Sequence, residues 1–342
     1  ARGAVLTFFS LRYKKKRNTQ RKMSSSIEEV KATIKSVKLT DSQAEKLSKL
    51  IDSLPKILSG LDNPEYDEIF GYRINTKDKP YVDESIRNEI LLKFLAADDY
   101  NLELLEKRLI DSLNWRNEFQ PLSAAFEETF DKELNELGVI TNFPNSNLKI
   151  TTWNLYGNLK NPKKIFEKFG ANNKVSKLPG SQFLRWRVGL MEKSLQLIDF
   201  TSTTDNRIAQ VHDYNNVSMF KIDPGMKKAT KEIITIFGAN YPELLSTKFF
   251  INVPLIMGWV FTFFKTIRVI TEATLKKFQV LNHGNLLESF NPDELPKVYG
   301  GKVEKSLFDI DVSDDIKLSE YREMILKKVR DEKINHINDD VQ

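Results

Sequence analysis

The sequence predicts an α/β fold preceded by an all-helical N-terminal annex, and three observations carry that expectation. The apolar period is helical through residue 135 or so, and it then gives way to short β-type runs. Beyond that point strands alternate with helices, the pattern of a largely parallel or mixed sheet with helices packed on it. At 342 residues, with 14 Gly, 12 Pro and no long low-complexity stretch, the chain can bury one sizeable core and lacks linkers between independent domains.

The annex is read as residues 27–135. Ser26 and Glu29 are spaced as a capping box, and Ile27, Val30, Ile34 and Val37 share one helical face, so a helix is expected from there. Ile86, Ile90, Leu91, Phe94 and Leu95 form a second stripe, followed by Leu102, Leu105, Leu109 and Leu113, which ends near Trp115 and Arg116. Strands are expected at Lys149–Tyr156, Ile208–Asp213, Val217–Ile222, Phe249–Val253 and Lys277–Leu281, with helices at 181–198 and 227–238 between them. The sheet domain is read as 136–305. A linker and closing helix follow at 306–342, with Tyr321, Ile325 and Val329 as the docking stripe.

The longest uncharged run, Phe249 to Phe264, holds sixteen residues and includes Asn252, Pro254 and Gly258. Crossing a bilayer takes roughly twenty, so the run predicts a strand and then a short helix, 255–268, that is apolar nearly all round. Periodicity leaves two readings of that helix open, plain burial and facing lipid.

Charge is unevenly placed. The net charge is +5, but Arg2, Arg12, Lys14, Lys15, Lys16, Arg17, Arg21 and Lys22 contribute eight positive charges before Met23, and +5 less these eight leaves −3. A mildly acidic body excludes a phosphate-backbone binder, so no nucleic-acid partner is expected. Residues 1–22 fit a presequence, a polybasic arm or a piece upstream of the true start; Met23-Ser24-Ser25-Ser26 resembles an ordinary start, and 1–26 is read as a disordered or artefactual extension. With no Cys there is no disulfide, thiolate nucleophile or Cys-based zinc site, and a reducing compartment is expected. The sequence contains no nucleophile elbow, dinucleotide turn, Walker loop or H-E-x-x-H, and His212, His283 and His336 are far apart. No enzyme with its own catalytic residues is expected.

The notable local feature is Val211-His212-Asp213-Tyr214 at the end of a strand. Alternation puts His212 and Tyr214 on one face, about 7 Å apart along the backbone. Two readings stand: ordinary packing of a satisfied His and Tyr, or joint service to one ligand, since Tyr is an accepted haem-iron ligand.

Taken as an ordered set, Trp115-Arg116, Val211-His212-Asp213-Tyr214-Asn215-Asn216-Val217-Ser218, Tyr241-Pro242-Glu243, Phe250-Ile251-Asn252-Val253-Pro254 and Leu295-Pro296-Lys297-Val298-Tyr299-Gly300-Gly301 resemble the CRAL-TRIO family of phosphatidylinositol-transfer proteins, over roughly 65–305. Trp153-Asn154-Leu155-Tyr156-Gly157 and Arg185-Trp186-Arg187-Val188-Gly189-Leu190-Met191-Glu192-Lys193 are similar to its fungal fifth-homologue branch. The resemblance implies a lipid pocket closed by a mobile gate helix at 255–268. It also implies non-classical transfer of phosphatidylinositol, with ferric haem b bound in the same pocket. Tyr214 would be the iron ligand, with Tyr156, Arg187, His212 and Lys248 around the haem and Arg187 or Lys248 favouring the phenolate. Glu243, Thr274 and Lys277 would hold the inositol head group.

Two departures qualify the match. Ala96-Ala97-Asp98-Asp99-Tyr100 stands where relatives carry Arg-Ala-Arg-Lys, so basic head-group contacts from the annex are expected to be missing, and Asp98 replaces a second haem-proximal tyrosine. Ile208 and Gln210 stand at the choline-lipid hydroxyl pair, which argues against phosphatidylcholine. The implied partners are phosphatidylinositol, haem and, transiently, a cytoplasmic membrane surface such as the endoplasmic reticulum. The alternative is a dedicated haem-binding or haem-dependent stress-response protein without lipid transfer.

Overall fold

The computed structural model describes residues 26–159, 161–170, 178–217, 223–253 and 271–339. Helix α1 (26–33) and helix α2 (Asp41–Ser59) open the annex. Ser26 lies inside α1 and shares a hydrogen bond with the Ser48 hydroxyl, so the expected capping box is not formed there. The box sits at α2 instead, where Thr40 Oγ1 accepts from Gln43 N at 3.2 Å and Gln43 Oε1 accepts from Thr40 N at 3.0 Å. Because α1 stops at residue 33, Val30 and Ile34 are buried while Val37 falls off the stripe into solvent.

A two-stranded antiparallel ribbon, β1 (Glu68–Ile69) and β2 (Tyr72–Arg73), leads to α3 (Glu84–Ala97) and α4 (Leu102–Phe119). Asp83 and Asn101 cap these two helices with side-chain oxygens, and both expected apolar stripes are buried apart from partly covered Ile86 and Leu102. Short helices α5 (Pro121–Phe126) and α6 (Lys132–Asn135) complete the annex.

The sheet has the order β3-β4-β5-β6-β7: β3 (Gly138–Asn142), β4 (Ile150–Asn154), β5 (Ile208–Asp213), β6 (Leu245–Ile251) and β7 (Phe278–Val280). Strands β3 and β4 are antiparallel and the remaining pairs parallel, so the sheet is mixed, as expected. Helices α7 (Pro162–Phe169), α8 (Gln182–Leu195) and α9 (Pro224–Asn240) connect the strands; α10 (Glu272–Leu275) precedes β7 and α11 (Glu320–Asp339) closes the fold.

The expected strand 208–213 coincides with β5. The strand expected at 249–253 begins four residues earlier, because Leu245-Ser246-Thr247-Lys248 pairs in the sheet without an apolar run to announce it. Edge strand β3 was not anticipated. Of the strand expected at Val217–Ile222, Val217 lies in a turn with its N–H donating to Tyr214 O at 3.0 Å, and the rest lies outside the described residues, as do residues 1–22 and the expected gate helix at 255–268. No described helix is long and apolar enough to cross a membrane.

Strand alternation gives the sheet two unlike faces. Val139, Trp153, Val211, Phe249 and Ile251 pack against Leu286, Phe290, Leu295, Tyr299 and Leu307. The opposite face carries Thr152 and Asn154 of β4, Gln210 and His212 of β5, and Lys248 and Phe250 of β6, in register beneath α8. That face is polar although buried.

A buried ion cluster ties the annex to this frame. Arg116 on α4 donates to Glu68 at 2.7 and 3.2 Å and to Glu192 of α8 at 2.6 and 3.2 Å, while the hydroxyls of Tyr66 and Tyr241 donate to Glu68 and Glu192, each at 2.6 Å. All three charged side chains are fully buried. The closing helix docks as expected: Tyr321, Ile325 and Val329 are buried, and the Tyr321 hydroxyl donates to Asp67 at 3.0 Å. Arg116→Leu would leave two carboxylates buried without their cation. We expect a loss of about 3–5 kcal/mol in urea denaturation; a loss below about 1 kcal/mol would show that the tyrosines suffice.

Candidate ligand-binding site

The sheet's polar face ends, at the C-terminal edge of the parallel strands, in an aromatic cluster. His212 is on β5, Tyr214 just beyond it, and Tyr156 in the 3-10 turn Tyr156–Asn158 after β4. The Tyr156 ring lies 5.3 Å from that of His212 and 5.7 Å from that of Tyr214, and Phe250 on β6 lies 5.3 Å from His212 and 6.4 Å from Tyr214. A Cβ on Gly157 would fall 2.0 Å from the Asn215 carbonyl. Only glycine lets the turns after β4 and β5 touch, and this contact delivers Tyr156 to its partners.

Two arginines on α8 show what this cluster demands. Arg185 is satisfied by Glu128 and by the carbonyls of Phe119 and Pro179. Arg187, also fully buried, has no hydrogen-bond partner on any of its three nitrogens and lies over the Phe237 ring at 4.8 Å. Its approach to Tyr156 is electrostatic, without hydrogen-bond geometry. Burial lowers the pKa of Arg187, and burial followed by the charges of Lys248 and Arg187 holds His212 neutral, well below the usual imidazole range. Burial, then Arg187, brings Lys248 down to about 7. Tyr156 is raised by burial against the pull of Arg187, and Tyr214 is raised by burial and by Tyr156. The cluster thus holds surplus positive charge.

The structure brings Tyr156, Arg187, His212, Tyr214 and Lys248 to one place. Arg187 is fully buried, and Lys248 lies over the Phe250 and Phe278 rings at 5.4 and 5.5 Å. The charge of Arg187 acts on Tyr156. Among the described residues no group of three His, Asp or Glu could hold a bare metal ion.

A second cluster lies at the opposite, N-terminal edge of the same strands. Glu243, held at a strained φ of 55°, meets Arg207 at 3.3 Å and Lys277 at 3.9 Å, and its backbone carbonyl accepts from Lys93 Nζ at 3.0 Å. Burial and then Arg207 lower Lys93 to about 7, against the pull of Glu243. Lys277 is lowered by burial, against Glu243. Glu243 and Lys277 thus lie together, whereas the Thr274 hydroxyl shares a hydrogen bond with Thr271 at 3.0 Å. Sequence reasoning missed Lys93 and Arg207. The annex does supply a base: Lys93 is hidden in the apolar run Leu91-Leu92-Lys93-Phe94-Leu95, where only the tertiary contact reveals it. Asp98 is held by Arg108 at 2.8 and 2.9 Å, and Arg108 also donates to Gly238 O at 3.0 Å, fastening the annex to the end of α9. Ile208 is core, and Gln210 lies 4.0 Å from Met191 Sδ.

A mixed sheet with an annex packed over a polar inner face defines a class, and comparison with known proteins agrees: residues 151–301 match the CRAL/TRIO domain, and the chain belongs to that family. It is 98% identical over 320 residues to the phosphatidylinositol transfer protein SFH5 of Candida albicans, covering 94% of this chain and 100% of that one. It is 38% identical to the SFH5 protein of Saccharomyces cerevisiae, covering 84% of this chain and 97% of the other. A crystal structure of Sfh5 superposes with a TM-score of 0.76 at 38% identity, covering 86% of this chain and 98% of that one.

The lysines make stability depend on pH. The unfolded chain keeps Lys248 protonated up to its ordinary value of 10.5, while the folded protein releases that proton near 7. Between these values unfolding takes up a proton, so stability rises with pH from about 7 to about 10.5 and gains nothing below 7. Residual exposure of Lys248 softens the rise. Denaturation of ligand-free protein at pH 7, 8 and 9 should show this climb, shared with Lys93, and Lys248→Met should flatten it in part. An unchanged climb would put Lys248 in solvent.

Proposed function

We propose that this protein transfers phosphatidylinositol between membranes and that its pocket also accepts ferric haem. The lipid half rests on one observation: Arg207 and Lys277 meet the Glu243 carboxylate while Lys93 donates to the backbone carbonyl of the same residue, so three basic side chains converge on Glu243. Lysine and arginine suit a phosphodiester, and a carboxylate accepts from inositol hydroxyls. The relatives named as phosphatidylinositol transfer proteins support this reading. It implies transient contact with cytoplasmic membrane surfaces, the endoplasmic reticulum among them, and no catalytic step.

The haem half rests on the donor set at the other edge. A half-buried phenol, a neutral imidazole and aromatic rings fit a flat apolar macrocycle, and unpartnered Arg187 with Lys248 fits its carboxylates. Tyr214 would hold the iron, with His212 and Tyr156 against the ring; a bound ferric haem would supply a Lewis-acidic centre for an oxygen ligand. Burial keeps Tyr214 protonated in the free protein, so binding would release its proton. The same observations favour the second reading, a dedicated haem-binding protein without lipid transfer.

Two assays separate these readings. In vesicle transfer, Lys277→Ala and Lys93→Ala should each reduce phosphatidylinositol transfer roughly tenfold with unchanged circular dichroism; normal transfer would remove the cluster from the lipid site. In ferric-haem titration, Tyr214→Phe should abolish the phenolate spectrum without unfolding, while Tyr156→Phe retains it. Loss in Tyr156→Phe alone would reassign the ligand, and a wild-type protein that takes up no haem leaves only the lipid half.

A further inference from the structure

Among the described residues ten buried side-chain polar atoms lack a hydrogen-bond partner, and seven of them belong to Thr152, Asn154, Arg187 and His212. These are not scattered. Strand register sets Asn154 beside His212 and Thr152 beside Gln210 on the sheet face beneath α8, which carries Arg187. Asn154 and Thr152 are fully buried, and both polar atoms of the Asn154 amide are idle. An idle buried amide is costly, and a core position wanting only shape would hold leucine. The guanidinium, amide and hydroxyl are all donors, and no carboxylate figures among the charges acting on Arg187.

We infer that Asn154, with Thr152 and Arg187, forms an oxyanion-accepting corner that takes the carboxylate of an amphiphilic ligand bound acid-group inward. The inference rests on the reading of this sheet face as a ligand pocket and deepens it: Arg187 was matched there to haem carboxylates, and Asn154 and Thr152 add a selectivity for the acid over its ester. A planar carboxylate matches the Arg187 fork while leaving an oxygen for the Asn154 amide. A phosphodiester already finds its bases in the Lys93, Arg207 and Lys277 cluster at the other edge. Asn154 ends β4 two residues before Tyr156, which opens the following 3-10 turn, and stands beside His212, so a ring held at Tyr214 could extend an acid group into the corner. A long-chain fatty acid offers the same chemistry.

Binding of two acid and ester pairs, ferric haem with its dimethyl ester and oleate with methyl oleate, tests this in wild type and Asn154→Leu. We expect wild type to prefer the acid in at least one pair. Asn154→Leu should lose at least roughly tenfold for that acid and little for its ester, while the ligand-free variant melts no lower than wild type because an idle amide has gone. The pair that shows the preference identifies the carboxylate's source. Equal binding of acid and ester by wild type, equal loss of both in the variant, or a lower melting temperature of the ligand-free variant would overturn the corner, the last by making Asn154 structural. If Asn154→Leu does not fold, Thr152→Val must show the same selective loss. Should wild type bind no haem, the haem reading fails while the oleate pair still decides the corner; should it bind neither acid, the corner fails.

Discussion

The buried triad of Arg116, Glu68 and Glu192 is the constraint on which the rest of the structure depends. It joins α4, the β1–β2 ribbon and α8, and through Tyr241 it reaches the segment that delivers Glu243 to the cluster of Lys93, Arg207 and Lys277. Such a triad adds little net stability over an apolar replacement, because desolvating three charges offsets their attraction. What it does is fix geometry: each carboxylate accepts from the shared guanidinium and from a phenol, Glu68 also from the Gly71 N–H, so α8 has one low-energy position relative to the annex. Since α8 also carries Arg187, the register of this triad sets where that guanidinium sits over the sheet.

The sheet divides the labour between its faces. The face holding Trp153 and Phe249 is sealed by the segment from Leu286 to Leu307 and behaves as ordinary core, with Asp213 pinned at its edge by the Tyr299 hydroxyl at 2.9 Å. The other face carries the buried polar atoms without partners on Thr152, Asn154, Arg187 and His212. A core built only for stability would not place an unpartnered arginine, a lysine lowered to about 7 and an idle asparagine under one helix. The concentration of those costs on one face is what separates a binding surface from a packing surface here.

How much of this was legible in the sequence follows from the range of each interaction. Strand β5 and the shared face of His212 and Tyr214 were readable because alternation is local, and the stripes of α3 and α4 because helical period is local. Strand β3 and the start of β6 were not, since their residues carry no apolar run and pairing alone makes them strands. Among site residues, Tyr156, Arg187, Lys248, Glu243 and Lys277 were nominated by resemblance, while their burial and charges came from the structure. Lys93 was invisible because a lysine inside an apolar stripe reads as a snorkelling surface group until its contact with the Glu243 carbonyl, 150 residues away, is seen. Asn154 stood in a quoted motif without a role, since only the lack of partners around it distinguishes it from a structural amide.

The two clusters stand at opposite ends of β5, and that separation bears on how one pocket could serve two ligands. Arg207 precedes the strand and His212 nearly ends it, five residues or roughly 16 Å apart at the rise of an extended chain. An inositol lipid anchored by its phosphate at the Arg207 end would lay its acyl chains along the face toward His212 and Tyr214. A haem bound at the Tyr214 end would occupy the space of those chains without touching Lys93, Arg207 or Lys277. Competition would then be steric and confined to the middle of the sheet, where Gln210 and Lys248 face each other across β5 and β6. Charge would favour the two ligands differently: acyl chains leave Arg187 and Lys248 unneutralised, whereas an acidic ligand compensates both. On this argument the electrostatics of the C-terminal edge disfavour a purely apolar occupant, and the exchange of lipid for an acidic amphiphile becomes more favourable as Lys248 gains its proton below about pH 7.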